Sequence, residues 1–446
     1  MEFIDFIILL AVYAVTGLYA LQLFRAGPRI STFVYVWLAT GGFFISGLAY
    51  RLWSGHKPYY VDGVGTTHYL TSGAYNAAIL SVTVGLICLA IGHGWSTARK
   101  WDAALPRFFD RRVQDGTTLR RWACVFLLAG FIPLLGLGIY NPVTLAEALL
   151  HGRSITGPAA LFYSQGNFFS FFKVFSSVVP FGVAAVAILF WSGARPWALA
   201  ILAAFMVLLT FLSGTRSATA FLLLPFIVLP RYMGQNLRFQ KMVIVGGAIL
   251  LVLFEIMLVY RSSGFDAISV FRTVERASPV AAIGGKELDM VGQSIDVYGK
   301  RYPFLDGQSY FAVLVNPVPR VFWHAKPISY SNRNAENLGY TFGTTITSGW
   351  VGEAYANFGW IGVPLMGLLA GALMGWLDVM LANSGAFATA IFLPLQFQWA
   401  FWVRGDSANA LDPWIFGLVL ATGAMLLAHP AHPTLADSAT DLTLAG

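Results

Sequence analysis

The run MVIVGGAILLVLFEIMLVY from Met242 to Tyr260, closed by Arg261-Ser262-Ser263-Gly264, decides the fold. A helix needs about 20 mostly apolar residues to cross the hydrocarbon core of a bilayer, and this run comes close to that length. Similar runs occur at residues 3–23, 31–52, 72–93, 120–140, 170–191, 196–212, 217–230, 356–381, 386–402 and 411–428. Together they give an all-α polytopic membrane protein of about eleven transmembrane helices. The 217–230 run is short and ends in Pro230.

Composition agrees. Of 446 residues, 57% are hydrophobic and 11% charged, where a soluble domain carries roughly 25% charged residues. The net charge of +7 sits in short loops between apolar runs, where topology rather than nucleic acid accounts for it. Cys88 and Cys124 both fall inside expected spans, so neither a disulfide framework nor a zinc spacing is available. The first apolar run follows Met1, Glu2 and Asp5 rather than a basic stretch, and is expected to be the first span rather than a cleavable signal.

Basic loops set the orientation. Arg25 and Arg29 follow the first span, and Arg99, Lys100, Arg107, Arg111, Arg112, Arg120 and Arg121 follow the third. Both loops read as cytoplasmic, and alternation puts Arg195 and the Arg231, Arg238, Lys241 loop on the same side. The N-terminus, the Ser213–Ser217 turn, the segment after Arg261 and the Arg404-Gly405-Asp406 turn then face outward. The chain divides into N-terminal spans (1–260), a large outward loop (261–349), C-terminal spans (350–428) and a cytoplasmic tail (429–446) with two His-Pro steps, expected to be disordered. So long a loop is expected to hold short helices of its own. Within 142–169, Leu145, Ala146, Leu149 and Leu150 suit an interfacial helix.

Several groups on the outward face have the chemistry to hold a phosphorylated ligand. Ser213-Gly214-Thr215 leaves Arg216 at the start of a helix, where free N–H groups, the dipole and a guanidinium suit a pyrophosphate. The plain alternative is an arginine reaching lipid headgroups. Arg261 closes the next outward helix end and could form a second grip on a diphosphate, although arginines commonly flank spans. Glu255, about one and a half turns below it, needs a partner at membrane depth.

Within the loop, Asn316-Pro317-Val318-Pro319-Arg320 and Trp323-His324-Ala325-Lys326-Pro327 are expected to run extended. Tyr310, Trp323 and neighbouring aromatics interleave with Arg320, His324 and Lys326, a mixture that suits sugar rings, or a loop burying its own aromatics. Glu353, at the start of the next span, suits a general base or a helix cap. His324 is a rival base or a structural histidine. Arg404-Gly405-Asp406 adds a cation and a carboxylate, or a local ion pair of little energetic weight. No metal site is expected, because Glu287-Leu288-Asp289 is a single acidic pair. No cofactor is expected either, since neither a Walker loop nor a Rossmann glycine pattern is present.

Taken in order and spacing, Ser213-Gly214-Thr215-Arg216-Ser217, Asn316-Pro317-Val318-Pro319-Arg320 with Lys326-Pro327, Gly352-Glu353-Ala354-Tyr355-Ala356-Asn357-Phe358-Gly359 and Arg404-Gly405-Asp406 resemble the bacterial oligosaccharide repeat-unit polymerases, the O-antigen (Wzy-type) polymerase family. The resemblance covers mainly the C-terminal half. It implies a C-type inner-membrane glycosyltransferase whose active site faces the periplasm. The donor would be a glycan on undecaprenyl pyrophosphate, the acceptor a repeat unit on the same lipid, and undecaprenyl pyrophosphate would be released. It further implies a flippase and a chain-length co-polymerase as partners. Carried onto this chain, Arg216, Arg261 and Arg404 would hold pyrophosphate, and Glu353 would be the base or acceptor-orienting group, with His324 as its rival. Arg320 would order the loop or touch phosphate, while Tyr310, Trp323, Lys326 and Tyr355 would meet the glycan. An O-antigen ligase and a lipid-linked oligosaccharide transporter are the alternatives. A transporter would be expected to carry polar groups at membrane depth, whereas the cations here gather at one face, with Glu255 and Lys173 as exceptions.

Overall fold

Inside a bilayer no water is available to bond N–H and C=O groups, so long apolar runs satisfy them internally as helices. The computed structural model describes residues 2–55, 57–113, 116–133, 135, 174–194, 196–212, 216–263, 286–318, 320–340 and 345–428. Residues 142–169, Lys173, the Ser213–Thr215 turn, the tail and the side chains of Arg216, Glu255 and Arg261 lie outside the description, and with them their expected roles.

The described elements begin with α1 (Glu2–Arg25), followed by a rod made of α2 (Thr32–Thr40), a π-turn (Gly41–Ile45) and α3 (Ser46–Ser54). A hairpin of β1 (Tyr59–Val61) and β2 (Thr67–Tyr69) leads into α4 (Ser72–Thr97). Then come α5 (Ala104–Arg112), α6 (Gly116–Ala129), α7 (Val179–Trp191), α8 (Trp197–Leu212), α9 (Arg216–Tyr232) and α10 (Asn236–Ser263). The loop segment holds three short helices, α11 (Glu287–Val297), α12 (Gln308–Val315) and α13 (Tyr330–Asn337). The chain closes with α14 (Gly349–Ala382), α15 (Ala386–Trp402) and α16 (Ser407–Ala428).

Five described segments are long and apolar enough to cross a membrane: Ile4–Arg25, Thr32–Ala49, Ser72–Thr97, Val174–Trp191 and Gly349–Ala382. Shorter apolar helices cover Trp197–Thr210, Thr219–Tyr232 and Trp414–Leu427. This is a helical, multi-pass membrane architecture. Among the described residues the hairpin is the one departure in regular structure from the all-helical expectation, and its three-residue strands are too short to leave a periodic signal.

Helices α4 and α14 pack in parallel through glycines. A Cβ on Gly371 would lie 2.1 Å from the Leu89 carbonyl oxygen, one on Gly92 2.2 Å from the Leu368 carbonyl oxygen, and one on Gly375 2.7 Å from the His93 carbonyl oxygen. Backbones this close maximise dispersion contact where no hydrophobic effect drives helices together. At the end of the bundle remote from the loop segment, the pair is tied to α2. Asp378 Oδ1 accepts from the Thr32 amide at 2.8 Å and from Gln396 Nε2 at 3.0 Å. The hydroxyls of Ser31 and Thr32 also donate to this carboxylate. His93 Nε2 stands 2.9 Å from Asp378 Oδ2, and Tyr19 Oη 2.8 Å from His93 Nδ1. In the centre, α15 is apolar on all sides and buried, as a helix surrounded by others should be.

Helix α14 is not continuous. Phe358 (φ −135°, ψ 17°) and Gly359 (φ 61°, ψ −146°) break it. Beyond the break, a Cβ on Gly362 would lie 2.1 Å from the Ala354 carbonyl oxygen, so the second segment bends back beside the first. Residues 360–382 suffice to cross a bilayer, which leaves the 349–357 segment to build the loop end of the bundle.

Gly371→Val forces a side chain against backbone that cannot move aside. It should lower stability by about 2 kcal/mol or more. Gly247→Val, where a Cβ meets open space, should cost about 1 kcal/mol or less. Thermal unfolding of the detergent-solubilised variants compares the two.

Candidate active site

The first segment of α14 carries Glu353 into the interior of the loop end, where it is fully buried. Burying a carboxylate is costly unless donors surround it, and here segments distant in sequence supply them. Ser309 of α12 donates its hydroxyl to Oε1 at 2.7 Å. Ser407 at the start of α16 donates its amide at 2.7 Å and its hydroxyl at 2.8 Å to Oε2. One turn further along α14, Asn357 donates from Nδ2 to Ser309 Oγ and to the Glu353 carbonyl, both at 2.8 Å, while its Oδ1 accepts from the Gly307 amide at 3.0 Å. Asp306 takes a left-handed backbone (φ 47°) to make this turn, followed by Gly307 at φ 84°.

A second layer frames this knot. Ser294, Tyr330 and Ser348 share hydroxyl bonds of 2.6–2.9 Å, and Gln293 and Asn334 exchange amide bonds at 3.0 Å. Buried Asp406 accepts from the Ser331 amide at 3.0 Å. The segment contains no space for a Cβ at Gly352, which would lie 1.9 Å from Ser348 Oγ.

Two ion pairs close the N-terminal end of α11. Arg404 Nε meets Glu287 Oε1 at 2.9 Å, and its guanidinium stands 5.6 Å from the Phe43 ring in the π-turn. Arg51 Nη1 meets Asp289 Oδ1 at 3.3 Å and lies 3.8 Å over the Tyr75 ring. The acidic pair in Glu287-Leu288-Asp289 is thus engaged by arginines. Arg404 keeps 40% of its side chain exposed, against 12% for Arg51, so it is the more accessible of the two arginines.

The expected site residues separate into two groups. Glu353 and Tyr310 come together where α12, α14 and α16 meet, and Arg404, in the turn before α16, reaches instead to Glu287 and Phe43. The Tyr310 ring stacks on Phe358 at 6.2 Å, and its hydroxyl is buried with no hydrogen-bond partner among the described residues. Burial, and then the Glu353 carboxylate, push this phenol well above its usual range, so it stays protonated and able to donate. Tyr355 instead packs edge-on against Phe304 (6.0 Å) and Trp360 (5.7 Å) and is buried, so it offers no open face to a sugar.

Arg320, Trp323, His324 and Lys326 belong to a separate feature. Residues 316–318 and 320–325 do not run extended as expected; they form turns and bends. The reason is Lys326, whose ammonium donates back to the carbonyls of Asn316 and Val318, both at 2.9 Å, while Pro fits the first corner of a turn as readily as an extended path. Arg320 Nη1 donates to the His324 carbonyl at 3.2 Å, which orders the loop, and the His324 side chain is exposed. Trp323 meets Phe311 of α12 at 6.2 Å. Helix α9 starts at Arg216 and α10 carries Arg261 near its end.

Sequence reasoning missed Ser407 and Arg51. Ser407 signals itself only as a residue after Arg404-Gly405-Asp406, and Arg51 only as a boundary arginine at the end of an apolar run.

The family model of O-antigen polysaccharide polymerase Wzy matches residues 6–427. No curated protein and no solved structure matches the chain.

Burial, partly offset by Arg51 and the Tyr59 amide, raises the Asp289 carboxyl from 3.8 to about 6. The folded chain therefore binds this proton more tightly than the unfolded chain does. The stability so gained is complete below 3.8 and lost as pH rises through about 6. Asp289→Asn should remove that slope: between these values wild type should lose on the order of 2 kcal/mol more stability than the variant, measured by chemical unfolding.

Proposed function

The chain belongs to the O-antigen polysaccharide polymerase family, and from that premise we propose that it joins undecaprenyl pyrophosphate-linked oligosaccharide repeat units at the periplasmic face of the inner membrane. Membership gives it a polymerising, glycosyltransferase-like role on lipid-linked oligosaccharides. The finer reading has about eleven spans in a C-type arrangement, with spans in 1–260, a periplasmic loop in 261–349, further spans in 350–428 and a cytoplasmic tail. A flippase would supply the repeat units and a chain-length co-polymerase would limit the product.

In the proposed reaction a hydroxyl at the non-reducing end of the acceptor attacks the anomeric carbon of the donor glycan. The new glycosidic bond forms as the bond to pyrophosphate breaks, and undecaprenyl pyrophosphate leaves with the electron pair. Arginines offset the growing charge of that leaving group without a metal ion. Arg216 and Arg261 take this role at helix ends, and Arg404 takes it from beside Glu287. Glu353 receives the acceptor proton or orients the acceptor through Ser309, and exposed His324 is the other candidate base. The Tyr310 phenol donates to the glycan. Arg320 and Lys326 hold the loop that carries Trp323 toward it.

One observation carries the assignment of the site. Three sequence segments centred on Ser309, Glu353 and Arg404–Ser407 converge on a single buried carboxylate, with a protonated, unpartnered phenol beside it. Transport is less well supported, because the half-buried carboxylate at the opposite end, Asp378, is surrounded by helix-tying donors rather than by a path.

Purified protein given a defined undecaprenyl pyrophosphate-linked repeat unit should produce a gel ladder of carrier-linked chains, undiminished in EDTA. Arg216→Ala and Glu353→Gln should each slow it by about a hundredfold or more while unfolding like wild type. Products that stop at one transfer to a lipid A-core acceptor would replace the polymerase by a ligase. Loss of the ladder in EDTA with recovery in Mg²⁺ would overturn the metal-free step, and a ladder surviving Glu353→Gln would pass the base role to His324.

A further inference from the structure

The hairpin has no part in the Glu353 knot, yet it carries a pocket of about 330 Å³ lined by Lys57, Tyr59, Thr67 and Tyr69. That volume lies at the lower end of the range for ligand sites. Register explains the lining. Tyr59 pairs with Tyr69 and Val61 with Thr67, so these side chains share one face, while Tyr60 and His68 stack at 5.0 Å on the other. The two pocket tyrosines stand 6.4 Å apart at 60°, and Tyr69 is 67% exposed. Lys286, next to α11, brings its ammonium 3.0 Å from Tyr59 Oη and 4.5 Å over the Tyr59 ring. The lining joins two aromatic rings, the Thr67 hydroxyl and the Lys57 side chain, with the Lys286 ammonium beside Tyr59 and the Asp289 carboxylate behind it at the Tyr59 amide.

A lone two-stranded hairpin is marginal in water, but this one is held on several sides. Asp62 Oδ1 accepts from the amides of Val64 (3.1 Å) and Thr66 (2.8 Å), and His68 Nε2 lies 2.9 Å from Asp62 Oδ2. The Gly63 amide donates to the Leu338 carbonyl at 2.8 Å, and Tyr340 Oη to the Val61 carbonyl at 2.6 Å. The hairpin also connects to the candidate active site. Asp289, which accepts from the Tyr59 amide at 3.4 Å, and Ser294, which adjoins Gly352, lie on one helix about 7.5 Å apart along its axis. Helix α4, with 26 residues, is about 39 Å long against a hydrocarbon core of about 30 Å. With Arg99 and Lys100 at the opposite surface, the surplus lifts the hairpin clear of the lipid tails.

We propose that the pocket is a saccharide subsite for an acidic sugar of the glycan, a reading that rests on the polymerase assignment. The tyrosine rings cover the apolar C–H face of a pyranose, Thr67 meets a ring hydroxyl, and Lys57 and Lys286 pair with a sugar carboxylate. Placed beside the Glu353 segment, the subsite holds a chain already attached to the carrier and so favours repeated addition.

The test uses the full-length protein in zwitterionic nanodiscs, with hexagalacturonate as the acidic probe and maltohexaose as the neutral one, followed by saturation-transfer NMR and titration. Hexagalacturonate should bind more tightly than maltohexaose. Binding should weaken about tenfold in Tyr69→Ala and in Lys57→Gln and return in Tyr69→Phe. No binding of hexagalacturonate, equal binding of the two probes, or binding that ignores both hairpin variants overturns the subsite. It also falls if nanodiscs containing anionic lipid abolish the binding and the hairpin variants restore it, since the pocket would then read headgroups. In the ladder assay Tyr69→Ala should shorten the chains. A ladder with no probe binding refutes the subsite alone, and hairpin-dependent binding without any ladder refutes the polymerase reading alone.

Discussion

The contact on which the rest of the structure depends is the parallel crossing of α4 and α14, made where glycines let two backbones approach to van der Waals distance. In lipid there is no solvent to squeeze helices together, so close packing and interhelical hydrogen bonds must supply the attraction. The crossing fixes the heights of both ends of the bundle. At one end it brings His93 to Asp378. At the other, Gly85 lies against both Trp350 and Val363, one residue from each side of the break in α14, so the segment bearing Glu353 has a fixed seat.

From that seat the chemistry follows. A buried carboxylate organises whatever can donate to it, and Glu353 gathers Ser309 from the loop and Ser407 from the last helix. Removing it would leave buried donors unsatisfied, each costing about 1–3 kcal/mol. The same group therefore serves architecture and reaction, which is why the isosteric glutamine is a sharper probe of it than alanine. Arg404, two residues before the end of the turn that presents Ser407, is positioned by the same constraint.

Much of this was legible in the sequence. Each apolar run announced a helix, the short helices of the loop were implied by its length, and Glu353 and Arg404 were named as candidates on one face. What escaped reading depends on long-range pairing. Ser407 is an ordinary serine until α14 brings Glu353 to it, 54 positions earlier in the chain. Lys326 reads as a basic ligand group, yet it caps carbonyls and folds its loop into turns. Tyr355 reads as a sugar platform and is spent inside an aromatic cluster. The break at Phe358–Gly359 is hinted at only by a glycine inside an apolar run, and glycines occur throughout these helices for packing.

The tie at Asp378 bears on how the protein is made. The donors at Ser31 and Thr32 precede their acceptor by 347 and 346 positions. At roughly 5–20 residues per second, synthesis reaches Asp378 about 20–70 s after the second helix has emerged. Through that interval the start of α2 and His93 lack their carboxylate partner, so the early helices enter the bilayer as a provisional assembly. The membrane insertion machinery must shelter these groups until the C-terminal helices arrive to close the bundle.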